Sequence, residues 1–156
     1  MPNTPALLGA GASGLYADND CPAAIRTLAG SVLGAVGDVV WVDKESQLDA
    51  VTAVSGSGPA YFFYMMECMS EAGIELGLDP EAAKKLAIET AYGAALMARQ
   101  GDLPPATLRK NVTSKGGTTA AALAAFESDD FGEIVARGMQ AARDRAIAMA
   151  DEFGKE

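Results

Sequence analysis

Only two segments of this chain have the composition of β-strands, and both precede residue 44. The first is a glycine-rich stretch around Gly11, and the second is the apolar run Val39–Val42, which predicts a buried strand. Pro22 opens a short helix between them. Because two strands do not form a stable sheet alone, residues 1–43 are interpreted as the tail of an α/β domain. From residue 45 onward apolar residues recur at helical spacing, so the chain is predicted to be mainly α-helical.

The glycines of the first segment, Gly9, Gly11 and Gly14, have the spacing of a dinucleotide-binding fingerprint. That fingerprint requires a hydrophobic strand before it and a helix that opens from it. Here only Ala6–Leu8 precede the first glycine, and the polar run Asp18–Asp20 follows soon after the last one. The segment is therefore interpreted as a glycine-rich strand or loop and not as a nucleotide site.

Glycine, proline and capping residues divide the helical pattern into seven predicted helices. They run from Pro22 to about Leu33, Leu48 to Ser55, Pro59 to Gly77, Pro80 to about Arg99, Leu103 to about Val112, Ala120 to Phe126, and Asp130 to about Phe153. Asp79 is placed to cap the fourth helix, and Asp130 and Glu133 form a capping-box arrangement at the start of the last. The inward positions predicted for the fourth helix are all small: Ala83, Ala87, Ala91, Ala94, Ala95 and Ala98. Small residues let helix axes approach closely, which predicts a tightly interlocked bundle or dimer.

The polar segment Asn111–Thr119 lies between two predicted helices and has the groups of a small-anion site. Gly116 and Gly117 permit a sharp turn, and Thr118 or Thr119 is placed to cap the helix that follows. The unpaired N–H groups of that first turn point outward, where a carboxylate or phosphate fits. Three hydroxyls and one cation add further donors: Thr113, Ser114, Thr119 and Lys115. The alternative, a polar interhelical loop before a well-capped helix, fits the same residues.

Charge and residue usage exclude several classes of function. The chain has 21 acidic and 12 basic residues, and its net charge of -9 disfavours nonspecific binding to nucleic acid or to anionic membranes. The sequence contains no histidine, which excludes histidine acid–base chemistry, Ser-His-Asp catalysis and histidine metal sites. Cys21 and Cys68 follow no metal-ligand spacing and are interpreted as reduced thiols of a cytoplasmic protein. No apolar run approaches the ~20 residues of a membrane span, and neither a metal site nor membrane association is predicted.

Two long motifs carry a resemblance to a known family. Ser55–Tyr61 (Ser-Gly-Ser-Gly-Pro-Ala-Tyr) and, farther along, Leu108–Thr119 resemble the C-terminal half of Δ1-pyrroline-5-carboxylate reductase, and Met1–Pro5 resembles a segment from the middle of that enzyme. The similarity spans essentially the whole chain. The resemblance implies an interlocked helical-bundle dimerisation domain, like the C-terminal domain of 6-phosphogluconate dehydrogenase, with a small α/β remnant of a Rossmann domain at the N-terminus.

The resemblance also implies a division of the chain and a missing part. Residues 1–44 are assigned to the remnant of the dinucleotide-binding domain, and residues 45–156 to the helical dimerisation and substrate-binding domain. The Rossmann region that holds most of the family's NADPH contacts is not in this sequence. The chain is therefore expected to be a fragment or an isolated domain, with Met1 corresponding to an internal methionine, and to be inactive by itself.

In the family, NADPH reduces the cyclic imine pyrroline-5-carboxylate to proline, and the resemblance assigns roles in that reaction to residues of the polar segment. The backbone N–H groups of Gly117, Thr118 and Thr119, with the Ser114 hydroxyl, are expected to hold the substrate carboxylate. The Thr119 hydroxyl is the candidate for contacting or protonating the imine nitrogen. Asn111 is expected beside both the substrate and the nicotinamide.

Three further positions are less determined. Glu45 matches a position near the substrate that can stabilise an iminium, although a solvated glutamate in a first helical turn fits equally well. Asp102 matches an acidic position considered as a proton donor, and helix-end capping is the favoured reading. Many relatives carry proline where this chain has Lys115, which is expected to alter the stiffness of the loop and leaves its role toward anions open.

Two hypotheses of different class follow from these observations. In the first, the chain is the substrate-binding and dimerisation part of the reductase and forms a homodimer or a higher oligomer, with pyrroline-5-carboxylate or proline as its small-molecule partner. In the second, it is a noncatalytic assembly module that binds no substrate. Neither hypothesis involves a metal, a nucleic acid or a membrane.

Overall fold

The structure of the chain, a computed structural model, describes residues 1–154. Its elements are β1 Gly11–Leu15, α1 Ala23–Gly34, β2 Gly37–Trp41, α2 Gln47–Val51, α3 Gly58–Glu75, α4 Pro80–Gln100, α5 Pro105–Asn111, α6 Thr118–Ser128 and α7 Phe131–Phe153. A short 3-10 helix covers Thr4–Leu8, and a π-helix covers Thr52–Gly56 between α2 and α3. The chain divides into two compact units, one formed by Met1–Tyr61 with the residues from Ala136 onward, the other by Phe62–Val135. The predicted mainly α-helical fold with a small α/β piece is confirmed.

The α/β piece is a two-stranded parallel sheet. β1 and β2 pair in register from Gly11 opposite Gly37 to Leu15 opposite Trp41, and α1 connects them. The three fingerprint-like glycines do not open a helix, because two of them lie within β1 and the first precedes it in a left-handed conformation. The interpretation of this stretch as a glycine-rich strand is therefore confirmed.

The prediction that the second strand is buried is wrong. Residues along β2 alternate between half-buried and exposed, and the Val40 side chain is 63% exposed. On the covered face, Trp41 lies near Gly30 of α1, and the Arg26 guanidinium stacks 4.5 Å from the centre of its ring. The apolar run suits a strand buried on both faces, but among residues 1–154 only one face is covered.

The free edge of β1 is held by the start of the chain. Met1 and Gly14 exchange both backbone hydrogen bonds, at 2.8 Å from the Met1 amino group and 3.0 Å from the Gly14 N–H. This mutual exchange is the pattern of an antiparallel hydrogen-bonded pair. Gly14 also marks a close approach, because a Cβ at this position would lie 2.5 Å from Cγ1 of Val51 in α2. The helical segment thus packs directly on the backbone of β1.

Within the second unit, α3 and α4 are joined by a tight connection. Gly77 adopts a left-handed φ of 100°, and Asp79 caps α4 by accepting from the N–H groups of Glu81 and Ala82 at 3.0 and 3.3 Å. The predicted cap is therefore confirmed. α3 and α4 touch where small residues meet, since a Cβ at Gly73 would lie 3.2 Å from Cβ of Ala83.

The predicted inward face of α4 is only partly correct. Ala83 and Ala87 are 3% and 4% exposed, as expected for a close helix contact. Ala94, Ala95 and Ala98 are exposed. In this second half of the helix Ala91 and Leu96 are half-buried.

The helices bury little of their apolar surface within this chain. In α3 the side chains of Phe62, Phe63 and Tyr64 are 65%, 63% and 68% exposed. The accessible area is 11422 Å², whereas a folded monomer of 16.0 kDa has about 7,400 Å². None of the helices between residues 1 and 154 combines the length and the apolar character needed to cross a membrane. The first two turns of α3, residues 59–66, carry no charged side chain, and an apolar helix surface of this kind is normally buried, so a further protein surface is needed to cover this part of α3.

The contact between β1 and α2 gives a test of the fold. Gly14→Ala places a methyl group against Val51, and overpacking of this kind costs about 1–3 kcal/mol. We expect a lower free energy of unfolding in denaturant titrations at fixed protein concentration, and partial recovery in the Gly14→Ala, Val51→Ala double variant. Gly34→Ala is the matched control, because a Cβ there meets nothing within 4 Å. An unfolding midpoint that is equal in Gly14→Ala and Gly34→Ala would contradict this packing.

Candidate functional site

The candidate site is the α5–α6 loop, defined here as Val112–Gly117, with the helix ends on both sides of it. The Thr113 hydroxyl donates to the Arg109 carbonyl at 2.6 Å, and the Thr113 N–H donates to the Lys110 carbonyl at 3.1 Å. Both bonds satisfy carbonyls at the end of α5 that have no helical partner. The Thr113 hydroxyl is thereby committed to the helix end, although the sequence suggested it as a ligand donor.

Ser114 to Gly117 form a tight turn. The Gly117 N–H donates to the Ser114 carbonyl at 3.1 Å, and Gly116, the third residue of the turn, has a φ of 73°. Lys115 has a negative φ, because Asp130 is the single non-glycine residue with positive φ in the described chain. This combination defines a type II turn, in which the third position favours glycine and the second favours proline. The turn explains both the glycine at 116 and why proline is compatible with position 115.

The turn leads directly into α6, which begins at Thr118. The predicted cap is wrong: Gly117 occupies the N-cap position, and Thr118 and Thr119 are the first two helical residues. The first N–H with an intrahelical acceptor is that of Ala121, which donates to the Gly117 carbonyl at 3.1 Å. The N–H groups of Thr118, Thr119 and Ala120 have no acceptor among residues 1–154. Three adjacent unpaired donors at a helix N-terminus favour an anion.

The polar side chains around these donors are also unpaired. Within the described part of the chain, the side chains of Asn111, Ser114, Thr118 and Thr119 have no hydrogen-bond partner, and the Thr119 residue is half-buried while the other three are exposed. A Cβ at Gly117 would overlap the Ser114 hydroxyl, which would then have to rotate away. That hydroxyl therefore lies against the start of α6.

The loop is positively charged in an acidic protein. Arg109 and Lys110 lie in the last turn of α5, where cations interact favourably with the helix dipole, and Lys115 lies in the turn itself. The loop Val112–Gly117 contains no carboxylate. A carboxylate or phosphate group thus meets local positive potential here despite the net charge of -9.

The predicted site residues occupy two different units. Asn111, Ser114, Gly117, Thr118 and Thr119 are gathered at the α5–α6 loop in the second unit. Glu45 belongs to the first unit, in an exposed turn before α2, where its carbonyl accepts from the Leu48 N–H at 2.9 Å. Its assignment remains a prediction.

Two features of the donor set were missed by reasoning from the sequence. The Gly117 N–H, predicted to bind a ligand, donates to the Ser114 carbonyl, and the Ala120 N–H, which the resemblance did not assign to the substrate, has no acceptor among residues 1–154. Both features follow from a type II turn that ends at the residue before the helix. The last residue of such a turn, Gly117, donates its N–H within the turn, so the free N–H groups begin at the next residue, Thr118. The set that an anion can reach without any rearrangement is therefore Thr118 to Ala120.

Residues 45–149 match a known protein family. The family model described as pyrroline-5-carboxylate reductase dimerisation matches residues 45–149, which include the α5–α6 loop. Similar curated proteins include the pyrroline-5-carboxylate reductases of Pseudomonas aeruginosa, 51% identical over 155 residues, and of Haemophilus influenzae, 48% identical over 154 residues. These alignments cover 99% and 98% of this chain but 57% of each relative. The chain thus spans little more than half the length of these relatives.

Solved structures show the same relationship. A pyrroline-5-carboxylate reductase from Coxiella burnetii matches with a TM-score of 0.92 and 43% identity, covering 95% of this chain and 55% of that one. The pyrroline carboxylate reductase of Plasmodium falciparum, whose structure has NADP bound, matches with a TM-score of 0.86 and 32% identity, covering 96% of this chain and 61% of that one.

The type II turn predicts the effect of proline at position 115. Lys115→Pro should raise the free energy of unfolding by about 0.4–1 kcal/mol, because the ring restricts the unfolded chain and the Lys115 N–H has no acceptor among residues 1–154. This corresponds to a Tm increase of about 1–4 °C in a chain of this size. Lys115→Ala is the control that removes the charge without fixing φ, and it should not raise the Tm. A lower Tm for Lys115→Pro would contradict the assigned turn.

Proposed function

The chain belongs to the pyrroline-5-carboxylate reductase family, since the dimerisation model of that family matches residues 45–149. From this premise we propose that the chain is the substrate-binding and dimerisation part of such a reductase. The observation that carries the proposal is the row of unpaired N–H donors from Thr118 to Ala120, beside the Ser114 and Thr119 hydroxyls. The substrate of the family's reaction is an anion with a cyclic imine. Such a molecule needs a carboxylate cradle and a polar group near its nitrogen, and the α5–α6 loop offers both.

The proposed roles follow from the available donors. The N–H groups of Thr118 and Thr119 and the Ser114 hydroxyl hold the carboxylate of pyrroline-5-carboxylate, and the Gly117 N–H joins them if its bond to the Ser114 carbonyl opens. Fixed donors of this kind cost no reorganisation during the reaction. The hydroxyl of the half-buried residue Thr119 contacts or protonates the imine nitrogen, which makes the carbon of the C=N bond easier to reduce.

Two further residues complete the proposed site. Asn111, at the end of α5, lies beside substrate and nicotinamide in this proposal, and Glu45 stabilises the positive charge of the iminium. NADPH supplies the hydride when bound. The residues of this chain fit only one side of that cofactor, because the glycines of β1 do not open a helix and cannot cradle a pyrophosphate in the usual way. Most cofactor contacts are assigned to a dinucleotide-binding domain outside the 156 residues.

The proposed division of the chain places residues 1–44 with that dinucleotide-binding domain and residues 45–156 with the helical domain. The start of the family match at residue 45 supports this boundary. By this division the 156-residue chain is inactive by itself and becomes active when joined to a dinucleotide-binding half.

The helical domain is proposed to form a homodimer or a higher oligomer through α3 and α4. The accessible area exceeds that of a folded monomer by about 4,000 Å². Burial of this excess on both copies would remove about 8,000 Å² in total, more than the about 2,000–5,000 Å² of most obligate homodimer interfaces, so the excess is large enough for one extensive interface. Exposed aromatic residues on α3 and exposed alanines on α4 supply the apolar surface and the close approach that such an interface requires.

The second candidate, a noncatalytic assembly module, is favoured by the same exposed helices and needs no substrate.

Titration of the chain with proline, followed through the amide resonances of the backbone, discriminates between the substrate-binding part and the assembly module. We expect shifts concentrated at Thr118 to Ala120, weakened by Ser114→Ala and not by Ser31→Ala, an exposed serine in α1. Absence of shifts at the start of α6 would favour the assembly module.

The direct test of the proposed reaction is NADPH-dependent reduction of pyrroline-5-carboxylate. It compares the chain alone with the chain fused behind the dinucleotide-binding half of the Pseudomonas aeruginosa relative. We expect activity only in the fused form, with kcat lowered about 10²–10⁴-fold by Thr119→Ala, the range typical of a lost proton donor. Thr27→Ala is the control, because among residues 1–154 that hydroxyl bonds to the Ala23 carbonyl of its own helix, α1. A folded fused protein without activity would refute the proposed reaction.

A further inference from the structure

The Ser55 carbonyl has no α-helical donor. In an α-helix this carbonyl would accept from the N–H of residue 59, which is proline and has none. The π-helical turn does not serve it either, because the Ser57 N–H donates to the Thr52 carbonyl at 2.8 Å and the Ala60 N–H donates to the Ser57 carbonyl at 3.1 Å. The partner of the Ser55 carbonyl is instead the Asn3 side chain, whose Nδ2 donates to it at 3.0 Å.

The other end of the same carboxamide is bound to β1. Oδ1 of Asn3 accepts from the Ala12 N–H at 2.9 Å. The Asn3 side chain therefore links a backbone donor of the strand to a backbone acceptor that lies 52 positions from Asn3 in sequence. Its orientation is fixed, because reversing the amide would face donor to donor and acceptor to acceptor. Aspartate lacks the donor.

The packing around this link is tight. Ala53, in the π-helix, is 3% exposed, and Val51 lies against Gly14 of β1. The hydroxyls of Thr52 and Ser55 bond back to the Leu48 and Val51 carbonyls at 2.8 and 3.0 Å and make no link to the sheet. Among the described residues, Asn3 supplies the polar connection between β1 and the turn that begins α3.

We propose that Asn3 is a positioning residue for the reductase reaction, holding the start of α3 against β1. This inference rests on the proposed function. In that function β1 belongs to the cofactor part and α3 to the helical part, so the Asn3 link ties the two parts of one active enzyme. Loosening it leaves the contacts of each ligand in place but disturbs the alignment of hydride donor and imine carbon. A displacement of about 1 Å can cost about 10²-fold in rate.

The test uses the active fused protein and two substitutions. Asn3→Asp keeps the acceptor for the Ala12 N–H and removes the donor to Ser55, so we expect kcat to fall about tenfold while the KM values for both substrates stay within about twofold. Pro59→Ala restores a backbone N–H four residues after Ser55. In the Asn3→Asp, Pro59→Ala double variant the Tm should therefore recover while kcat stays low, because the carbonyl is satisfied but the link to β1 is still missing.

The outcomes separate positioning from simple structural support. Recovery of kcat together with the Tm in the double variant would show that Asn3 only satisfies a carbonyl, and an unchanged kcat in a folded Asn3→Asp protein would also overturn the proposal. If Asn3→Asp does not fold, Pro59→Ala with Asn3 intact decides: it competes for the Ser55 carbonyl, so kcat should fall without a loss of Tm, and an unchanged kcat refutes the inference. An inactive unsubstituted fused protein would instead refute the proposed function itself.

Discussion

The apolar surface that α3 and α4 leave uncovered is the constraint on which the rest of this structure depends. A 16.0 kDa chain with three consecutive exposed aromatic residues on one helix cannot form a complete core from its own elements. The exposed alanines of α4 fit this constraint, because small residues let a helix of another protein surface approach closely. The family match to a dimerisation model is consistent with this reading of the surface. The α5–α6 loop follows α3 and α4 in the matched segment, residues 45–149. The proposed substrate binding and the proposed assembly therefore both belong to this segment.

Unpaired backbone groups give a second level of organisation. Pro59 leaves the Ser55 carbonyl without a helical donor, and the amide of Asn3 supplies one from a distant part of the chain. At the start of α6 the Ser114–Gly117 turn uses one N–H and leaves three others free. The Ser55 carbonyl is paired within the protein, whereas the N–H groups at the start of α6 have no acceptor among residues 1–154 and remain available to a ligand. A backbone group paired by a distant side chain thus marks a structural link, whereas adjacent unpaired donors mark a candidate binding site.

Local signals allowed most of the helices to be predicted from the sequence, because Pro80 after Asp79 and glycine at 77 act within a few residues of the helix ends they define. The exposed face of β2 could not be predicted, since an apolar run reads the same whether its second face is covered or open. The α5–α6 loop was identified from its glycines and hydroxyls, yet its free donors were misplaced by one residue because the turn consumes the Gly117 N–H. The link from Asn3 to Ser55 joins positions 52 residues apart, and no local pattern predicts it.

Sedimentation equilibrium of the 156-residue chain at micromolar concentration measures whether a second copy covers α3 and α4. If it does, we expect a species of twice the 16.0 kDa chain mass, or a multiple of that dimer, with no appreciable monomer. A single species of 16.0 kDa at these concentrations would contradict it, because the exposed helices would then have no partner in solution.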